Sequence, residues 1–430
     1  MTRFAPVGPL RGSLRPPSDK SISHRAALIA AMGEGETTIE GYLDAADTRS
    51  TLAAVEAVGA RVEGVTSTGM EAVIRVAGVG LRGAGPASID VGNAGTLLRL
   101  LPGWLAGQAG ESWTLDGDES IRRRPVDRIA LPLTEMGARL AAREGRLPPL
   151  EIAGAPLHGI TYAMPVASAQ VKSCLLFAGL LADGETRIVE GLPSRDHSER
   201  MLAAAGAEVS REGDAVVIQP AKRLEPGDIA VPADISSAAF LLVAALLVEG
   251  SEVVLEGVGV NPTRTGLLAI LERMGAAIEV EPSGERGGEP TARLIIHPVP
   301  LHGVEVGGAE IPLAIDELPL LALAACFAEG TTTIRDAAEL RRKESDRIET
   351  VSMALNALGG KVEPTPDGMA IEGSGGLRGG TIESHGDHRI AMLGAVAGLA
   401  SREGVEVVGM DAAAVSYPGF RTDLAALLGD

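Results

Sequence analysis

The chain has 430 residues, of which 45% are hydrophobic, 22% charged and only 2% aromatic. That length exceeds one ordinary core, so two domains built on Leu, Ala, Val and Ile are expected. A formal net charge of −19 argues against non-specific binding to nucleic acid or to anionic membranes, while leaving room for a local basic pocket.

The opening "MTRFAPVGPL" carries no apolar stretch of secretory type. The longest apolar runs, about 10–14 residues, are too short to cross a bilayer. A soluble, cytoplasmic chain is expected, working as a monomer. Cys174 and Cys326 sit in apolar runs and read as small buried hydrophobes rather than a disulfide.

In chain order, an apolar helix, a β-branched strand after a Gly, and a second helix recur. The first helices are "HRAALIAAM", "AGTLLRLLPGWLAG", "VKSCLLFAGLLA", "SSAAFLLVAALLV", "LPLLALAACFA" and "RIAMLGAVAGLA". Most are apolar nearly all round, which predicts burial on every side; the second, holding Pro102, is the least regular. The strands follow at Gly35, Gly110, Gly184, Gly250, Gly330 and Gly404. Five of the second helices end at a Gly that turns the chain back into a strand ("AVEAVGARVE", "LTEMGARL", "MLAAAGAEV", "AILERMGAAIEV", "LNALGGKVE"), the usual helix stop. The sixth is "FRTDLAALLGD". Six α/β units grouped three and three are therefore expected, with a boundary near "IAVPADISS". Residues 1 to about 19 would supply a strand that the sixth unit lacks.

Each apolar helix opens on a polar cluster. In order these are "SDKSISHR" (Lys20, Ser21, Arg25), "GNAGTLLR" (Asn93, Gly95, Thr96, Arg99), "ASAQVKS" (Ser168, Gln170, Lys172), "ADISS" (Asp234, Ser236), "IDELP" (Asp316) and "GDHR" (Asp387, His388, Arg389). Loops add "RRRP" with Arg124, "SRDHSER" with Arg195, and "RRKESDR" with Lys343, Glu344 and Arg347. Asn, Ser and Asp have an ordinary reading as N-caps, and Glu344 with Arg347 has one as an i, i+3 pair. The cations have no such reading. A helix N-terminus is already positive, so Lys20, Arg25 and Arg389 are misplaced there unless an anion joins them. Three such helices per domain, with their N-termini on one face, would make a strongly positive face; two faces opposed would make a cleft for multiply charged anions. No GxxxxGK[ST], HExxH or CxxC occurs, so neither a P-loop nor a common metal site is expected.

Together these clusters resemble the enolpyruvyl transferase family, and within it most closely the members acting on shikimate 3-phosphate. "PSDKSISHR", "GNAGTLLR", "RRRPVDR", "ASAQVKS", "SRDHSERM", "IDELP", "RRKESDR" and "GDHRIAM" occur in the family's order over nearly the whole chain. The resemblance implies an α/β fold of two domains, 20–232 and 1–19 plus 233–430. Each would hold three βαβαββ units in pseudo-threefold symmetry around buried parallel helices, with the active site in the cleft between them. It implies transfer of the enolpyruvyl group of phosphoenolpyruvate to the 5-hydroxyl of shikimate 3-phosphate, releasing phosphate through a tetrahedral intermediate, with no metal or organic cofactor.

The resemblance also implies roles. Lys20, Ser21, Arg25, Ser168, Ala169 (by its backbone), Gln170, Arg195, Asp316 and Lys343 would hold shikimate 3-phosphate. Lys20, Gly95, Arg124, Gln170, Arg347 and Arg389 would hold phosphoenolpyruvate. Asp316 would be the general base, Glu344 the proton carrier at the methylene carbon, Lys20 a charge stabiliser and His388 a minor relay. Glyphosate would compete with phosphoenolpyruvate beside Gly95. Charge supports this independently: at roughly −1.5 to −2 per phosphate, the two substrates total about −5 to −6, against seven cations in these positions.

The chain departs from many members at Ala169, where they carry Ser, and at Val415, where some carry Lys. The rival within the family acts on UDP-N-acetylglucosamine and typically has Lys-Asn where this chain has Lys20-Ser21, together with a Cys on a mobile loop. A rival of another class is an RNA-binding repeat scaffold, against which the net charge and the scarcity of aromatics count.

Overall fold

The computed structural model describes residues 1–68 and 71–428. The chain divides into two compact units. One holds Lys20–Val231 with Arg286–Glu289; the other holds Met1–Asp19, Pro232–Glu285 and Pro290 onward.

The six apolar runs form helices α1 (Lys20–Met32), α3 (Gly95–Leu105), α5 (Ala169–Gly179), α7 (Ile235–Leu247), α10 (Leu318–Phe327) and α12 (His388–Ala400). The second helices are α2 (Ala46–Ala57), α4 (Asp127–Glu135), α6 (His197–Ala204), α8 (Gly266–Arg273), α11 (Arg347–Ala357) and α13 (Phe420–Ala426); α9 (Ile311–Ala314) is a single turn. The end of the sixth run, Gly429 and Asp430, lies outside the described residues. The five expected glycine stops, Gly59, Gly137, Gly206, Gly275 and Gly359, all have φ between 87° and 109°, a conformation that costs glycine nothing and an L-residue about 1 kcal/mol or more.

One sheet shows the repeat. Ala87–Asp90 pairs parallel with Ser112–Asp116, which pairs antiparallel with Leu147–Ala153, which pairs antiparallel with Arg139–Arg143. A parallel pair needs a long crossover, and α3 supplies it. The sheets containing Thr186–Glu190 and Thr331–Ile334 have the same order. In the other three, a distant segment fills a place. Ile229–Ala230 joins Glu36–Leu43 in parallel. Arg11–Leu14 joins Glu252–Gly259. Thr2–Phe4 pairs antiparallel with Val405–Val408, completing the sixth unit as the sequence led us to expect.

The buried helices are apolar all round because they pack on one another as well as on the sheets. Every residue of α7 from Ile235 to Leu246 is buried. Within α3, Pro102 does not break the helix. The adjacent Gly103 explains the irregular "PGW": a Cβ there would lie 2.0 Å from the Cys174 carbonyl of α5, so the two backbones touch where no side chain fits. With Leu97, Leu98, Leu101 and Trp104 all fully buried beside it, a Leu→Ala change in α3 is expected to cost roughly 2–5 kcal/mol.

Candidate active site

In the 20–231 unit the polar ends of α1, α3 and α5 carry the candidates. Arg25, 3% exposed, donates from Nε to Ser198 Oγ (2.8 Å), from Nη2 to Ser173 Oγ (2.9 Å) and from Nη1 to the Ser21 carbonyl (2.9 Å). Ser21 and Arg25 are thus one turn of α1 closed on itself and tied to α5 and α6. Lys20 Nζ lies 2.8 Å from Asp47 Oδ2. This corrects the expectation that the cation at the start of α1 is left without compensation. Asp47, in the first turn of α2, is its counter-ion, and nothing in the local pattern around Lys20 marks a carboxylate 27 residues away.

At the start of α3, Gly95 leaves room for a guanidinium. A Cβ there would stand 2.4 Å from Arg124 Nη1 and 3.3 Å from Arg99 Nη1. Arg99 donates to Gln170 Oε1 (3.1 Å), and Gln170 Nε2 donates to Thr96 Oγ1 (3.3 Å). Gly95, Arg124 and Gln170 are therefore brought together, and Arg99, named in the sequence only as part of a cluster, is what orients the Gln170 amide. Ser168 caps α5, accepting from the Val171 amide at 3.4 Å, so Ala169 and Gln170 fall in its first turn, where backbone N–H groups lack intrahelical partners. Arg195 is half-buried in the loop before α6.

Lys172 belongs to the same sequence cluster but not to the same face. It is fully buried, with Nζ 3.0 Å from Glu190 Oε2, 2.7 Å from Glu199 Oε1 and 3.2 Å from the Ser194 carbonyl. Burial pushes the Glu199 carboxyl up from its usual range, and Lys172 only partly opposes this.

In the other unit the start of α10 departs from the capping expectation. Its N-cap is Glu317, with no side-chain cap bond, so Asp316 is not a cap. Instead Asp316 Oδ1 accepts from Lys343 Nζ (3.0 Å) and lies 3.4 Å from Arg347 Nη1. Capping does hold for Asp234 in α7 and Asp387 in α12, and fails at Asn93, since α3 has Ala94 as its uncapped N-cap.

Arg347, 1% exposed, is ringed by carboxylates: Asp387 Oδ2 at 2.9 Å from Nε, and Glu344 Oε2 at 2.6 Å and Asp387 Oδ1 at 3.2 Å from Nη2. The i, i+3 pairing of Glu344 with Arg347 is present but not on a helix face, since Glu344 lies exposed in the loop before α11. Burial opposes charge on both Arg347 and Asp387. Their mutual attraction outweighs it, raising the guanidinium and holding the Asp387 carboxyl below its ordinary range. Arg389 Nη1 donates to the Asp316 carbonyl (2.7 Å) and lies 3.6 Å from Glu317 Oε1. His388 is buried, its Nδ1 3.9 Å from Asp387 Oδ1.

Beneath this cluster is a network that the sequence does not announce. Arg264 bridges Asp19 Oδ2 (3.1 Å), Asp234 Oδ1 (3.2 Å) and Ser236 Oγ (2.7 Å), and Ser236 donates to Glu317. Burial and the neighbouring Asp19 charge push the Asp234 carboxyl up to about 7, against the pull of Arg264. The starts of α7, α10 and α12 are joined by these contacts.

Neither cysteine fits a nucleophile. Both are free and buried; burial raises the Cys174 thiol strongly and pushes Cys326 up to about 12. Among the described residues no helix is long and apolar enough to cross a membrane, and the one grouping with metal-ligand donors is Asp196, His197 and Glu289, in which His197 Nδ1 lies 2.7 Å from Glu289 Oε1.

The chain is 50% identical over 428 residues to the 3-phosphoshikimate 1-carboxyvinyltransferase of Synechococcus sp. (strain RCC307), covering 98% of this chain and 97% of that one. It is 51% identical over 425 residues to the enzyme of the same name from Gloeobacter violaceus, covering 98% of each. The solved EPSP synthase of Acinetobacter baumannii superposes with a TM-score of 0.86 at 42% identity, covering 98% of this chain and 96% of that one. The family model for EPSP synthase (3-phosphoshikimate 1-carboxyvinyltransferase) matches residues 4–424, and the chain belongs to that family.

Proposed function

We infer that the chain transfers the enolpyruvyl group of phosphoenolpyruvate to the 5-hydroxyl of shikimate 3-phosphate and releases phosphate. The observation that carries this reading is the Asp316 carboxylate held between Lys343 and Arg347, at 3.0 and 3.4 Å. Such a group accepts a hydroxyl proton while the cations beside it hold substrate charge.

Binding groups are assigned to both units. Shikimate 3-phosphate is held by Lys20, Ser21 and Arg25, by Ser168, the Ala169 amide, Gln170 and Arg195, and by Asp316 with Lys343. Arginine forks suit its phosphate and carboxylate. Phosphoenolpyruvate takes Gly95 and Arg124 at its phosphate and Arg347 with Arg389 at its carboxylate, while Lys20 touches both substrates and Gln170 lies between them. In addition, Asp316 removes the 5-hydroxyl proton as the oxygen bonds to the enol carbon, and Glu344 delivers a proton to the methylene carbon. In elimination, a methyl proton returns to Glu344, the carbon–phosphate oxygen bond breaks, and phosphate leaves with the proton that Asp316 had taken from the hydroxyl. Lys20 stabilises the charge that develops, and His388 supports the relay. No step calls for a metal or organic cofactor.

The fully buried cysteines support shikimate 3-phosphate over UDP-N-acetylglucosamine as acceptor. The family relationship supports a monomer acting in the cytoplasm, inhibited by glyphosate at the phosphoenolpyruvate position. Phosphate release from phosphoenolpyruvate, measured with shikimate 3-phosphate and separately with UDP-N-acetylglucosamine, tests the reading. Release with the sugar nucleotide and none with shikimate 3-phosphate overturns it.

A further inference from the structure

Lys172 is a sequence feature that the reaction leaves unused. It stands two positions after Gln170 in the first turns of α5, yet it is fully buried. A buried ammonium is expensive, and an ion pair in such a place rarely improves stability over apolar residues of similar volume. Its contacts show what it holds.

The lysine reaches three points in sequence order: Glu190, the last residue of strand Thr186–Glu190; the Ser194 carbonyl; and Glu199 in α6. Glu190 turns its other oxygen to the same loop, accepting from the Ser194 amide (3.1 Å) and the Ser194 hydroxyl (2.5 Å). Glu190 also lies 3.3 Å from Arg211 Nη1. One residue on in α5 and one residue back in α6, a second link repeats the first: Ser173 and Ser198 share a hydrogen bond of 2.6 Å, and Arg25 donates to both. The segment 190–199 is thus pinned to α5 on both sides of Arg195. The start of α5 carries Ser168 and Ala169.

We propose that Lys172 is a positioning residue for the acceptor phosphate, setting the spacing between Arg195 and the first turn of α5 through Glu190, Ser194 and Glu199. The proposal rests on the assignment of Arg195 and Ser168–Ala169 to the phosphate of shikimate 3-phosphate. Lys172 itself touches no substrate. Ser194 fixes the backbone immediately before Arg195, so losing its anchor lets the guanidinium wander by the fraction of an ångström on which a bidentate phosphate contact depends.

The test compares Lys172→Met, which keeps the volume, with Glu190→Gln, which keeps the shape and removes the charge that ties Lys172 to Ser194. Michaelis constants for both substrates, kcat and thermal unfolding are measured alongside Arg195→Ala. The expected result is a KM for shikimate 3-phosphate raised about tenfold in Lys172→Met and less in Glu190→Gln. The KM for phosphoenolpyruvate should stay within about twofold, and the preference for shikimate 3-phosphate over unphosphorylated shikimate should fall. A purely structural lysine would lower the unfolding temperature and leave the acceptor KM of the folded enzyme unchanged, and that result overturns the proposal. Should Lys172→Met fail to fold, Glu190→Gln decides by the same criterion. If Arg195→Ala raises the acceptor KM while neither variant does, the positioning role alone falls; if Arg195→Ala leaves it unchanged, the phosphate assignment falls and the proposal with it.

Discussion

The two units partner their buried arginines in opposite ways. In the 20–231 unit, three hydrogen bonds of Arg25 go to neutral oxygens, those of Ser198, Ser173 and the Ser21 carbonyl, and Arg99 turns to an amide. Neutral partners orient a guanidinium and leave its charge in place. In the other unit, Arg347 faces Asp387, Glu344 and Asp316, and Arg264 faces Asp19 and Asp234. Carboxylate partners cancel the charge but supply groups that accept and return protons. On the roles proposed above, one unit serves as an anion receptor and the other as a proton-transfer network; Lys20, paired with Asp47, and the buried Lys172, paired with Glu190 and Glu199, are the first unit's exceptions.

The sharpest way to break this contrast is Asp316→Asn. It keeps the shape beside Lys343 and removes the proposed base. Turnover should fall by roughly 10²–10⁴, while calorimetric binding of shikimate 3-phosphate stays largely intact. A variant turning over near the wild-type rate would show that Asp316 only holds its lysine.

Arg25→Ala asks the opposite question of the receptor unit. Losing a charged contact there should weaken acceptor binding by about 2–5 kcal/mol, with a smaller effect on the chemical step at saturation. The KM for shikimate 3-phosphate and single-turnover rates separate the two. An unchanged KM would mean that the serine-bound guanidinium is structural.

Gly95→Ala probes the place proposed for phosphoenolpyruvate in the same unit. The new methyl must displace the Arg124 guanidinium, which would otherwise stand 2.4 Å away. Glyphosate is longer than phosphoenolpyruvate, so its inhibition constant should rise about 10–200-fold, and the KM for phosphoenolpyruvate should change far less. Equal losses for both ligands, or a wild type insensitive to glyphosate, would remove Gly95 from the wall of this pocket.

An effect on stability rather than on catalysis concerns Asp234. Its carboxyl is raised to about 7 in the fold from an unfolded value near 3.9. Between those values the folded state holds a proton that the unfolded state has lost. Its contribution is therefore complete below about pH 4 and is lost as pH rises through about 7, at up to about 1.4 kcal/mol per pH unit. Asp234→Asn keeps an acceptor for the Ser236 amide and removes this loss. Urea midpoints between pH 5 and 8 should decline less steeply in the variant; parallel profiles would contradict the raised carboxyl.

The sequence by itself determined the six units, because each rests on short-range physics: apolar runs too uniform for a surface helix, glycines where the chain must turn left-handed, and β-branched strands after them. It also placed Lys20, Arg25 and Arg389 at helix starts, since position in a helix follows from local pattern. Tertiary structure decided which partners those cations have. Asp47 lies 27 residues from Lys20, Asp387 lies 40 from Arg347, and Arg264 reaches Asp19 across 245; no local spacing encodes such pairs. It also decided that Lys172, in sequence the neighbour of Gln170, turns inward to an ion cluster, because a helix sends residues two apart to different faces and only the packed fold says what waits on each.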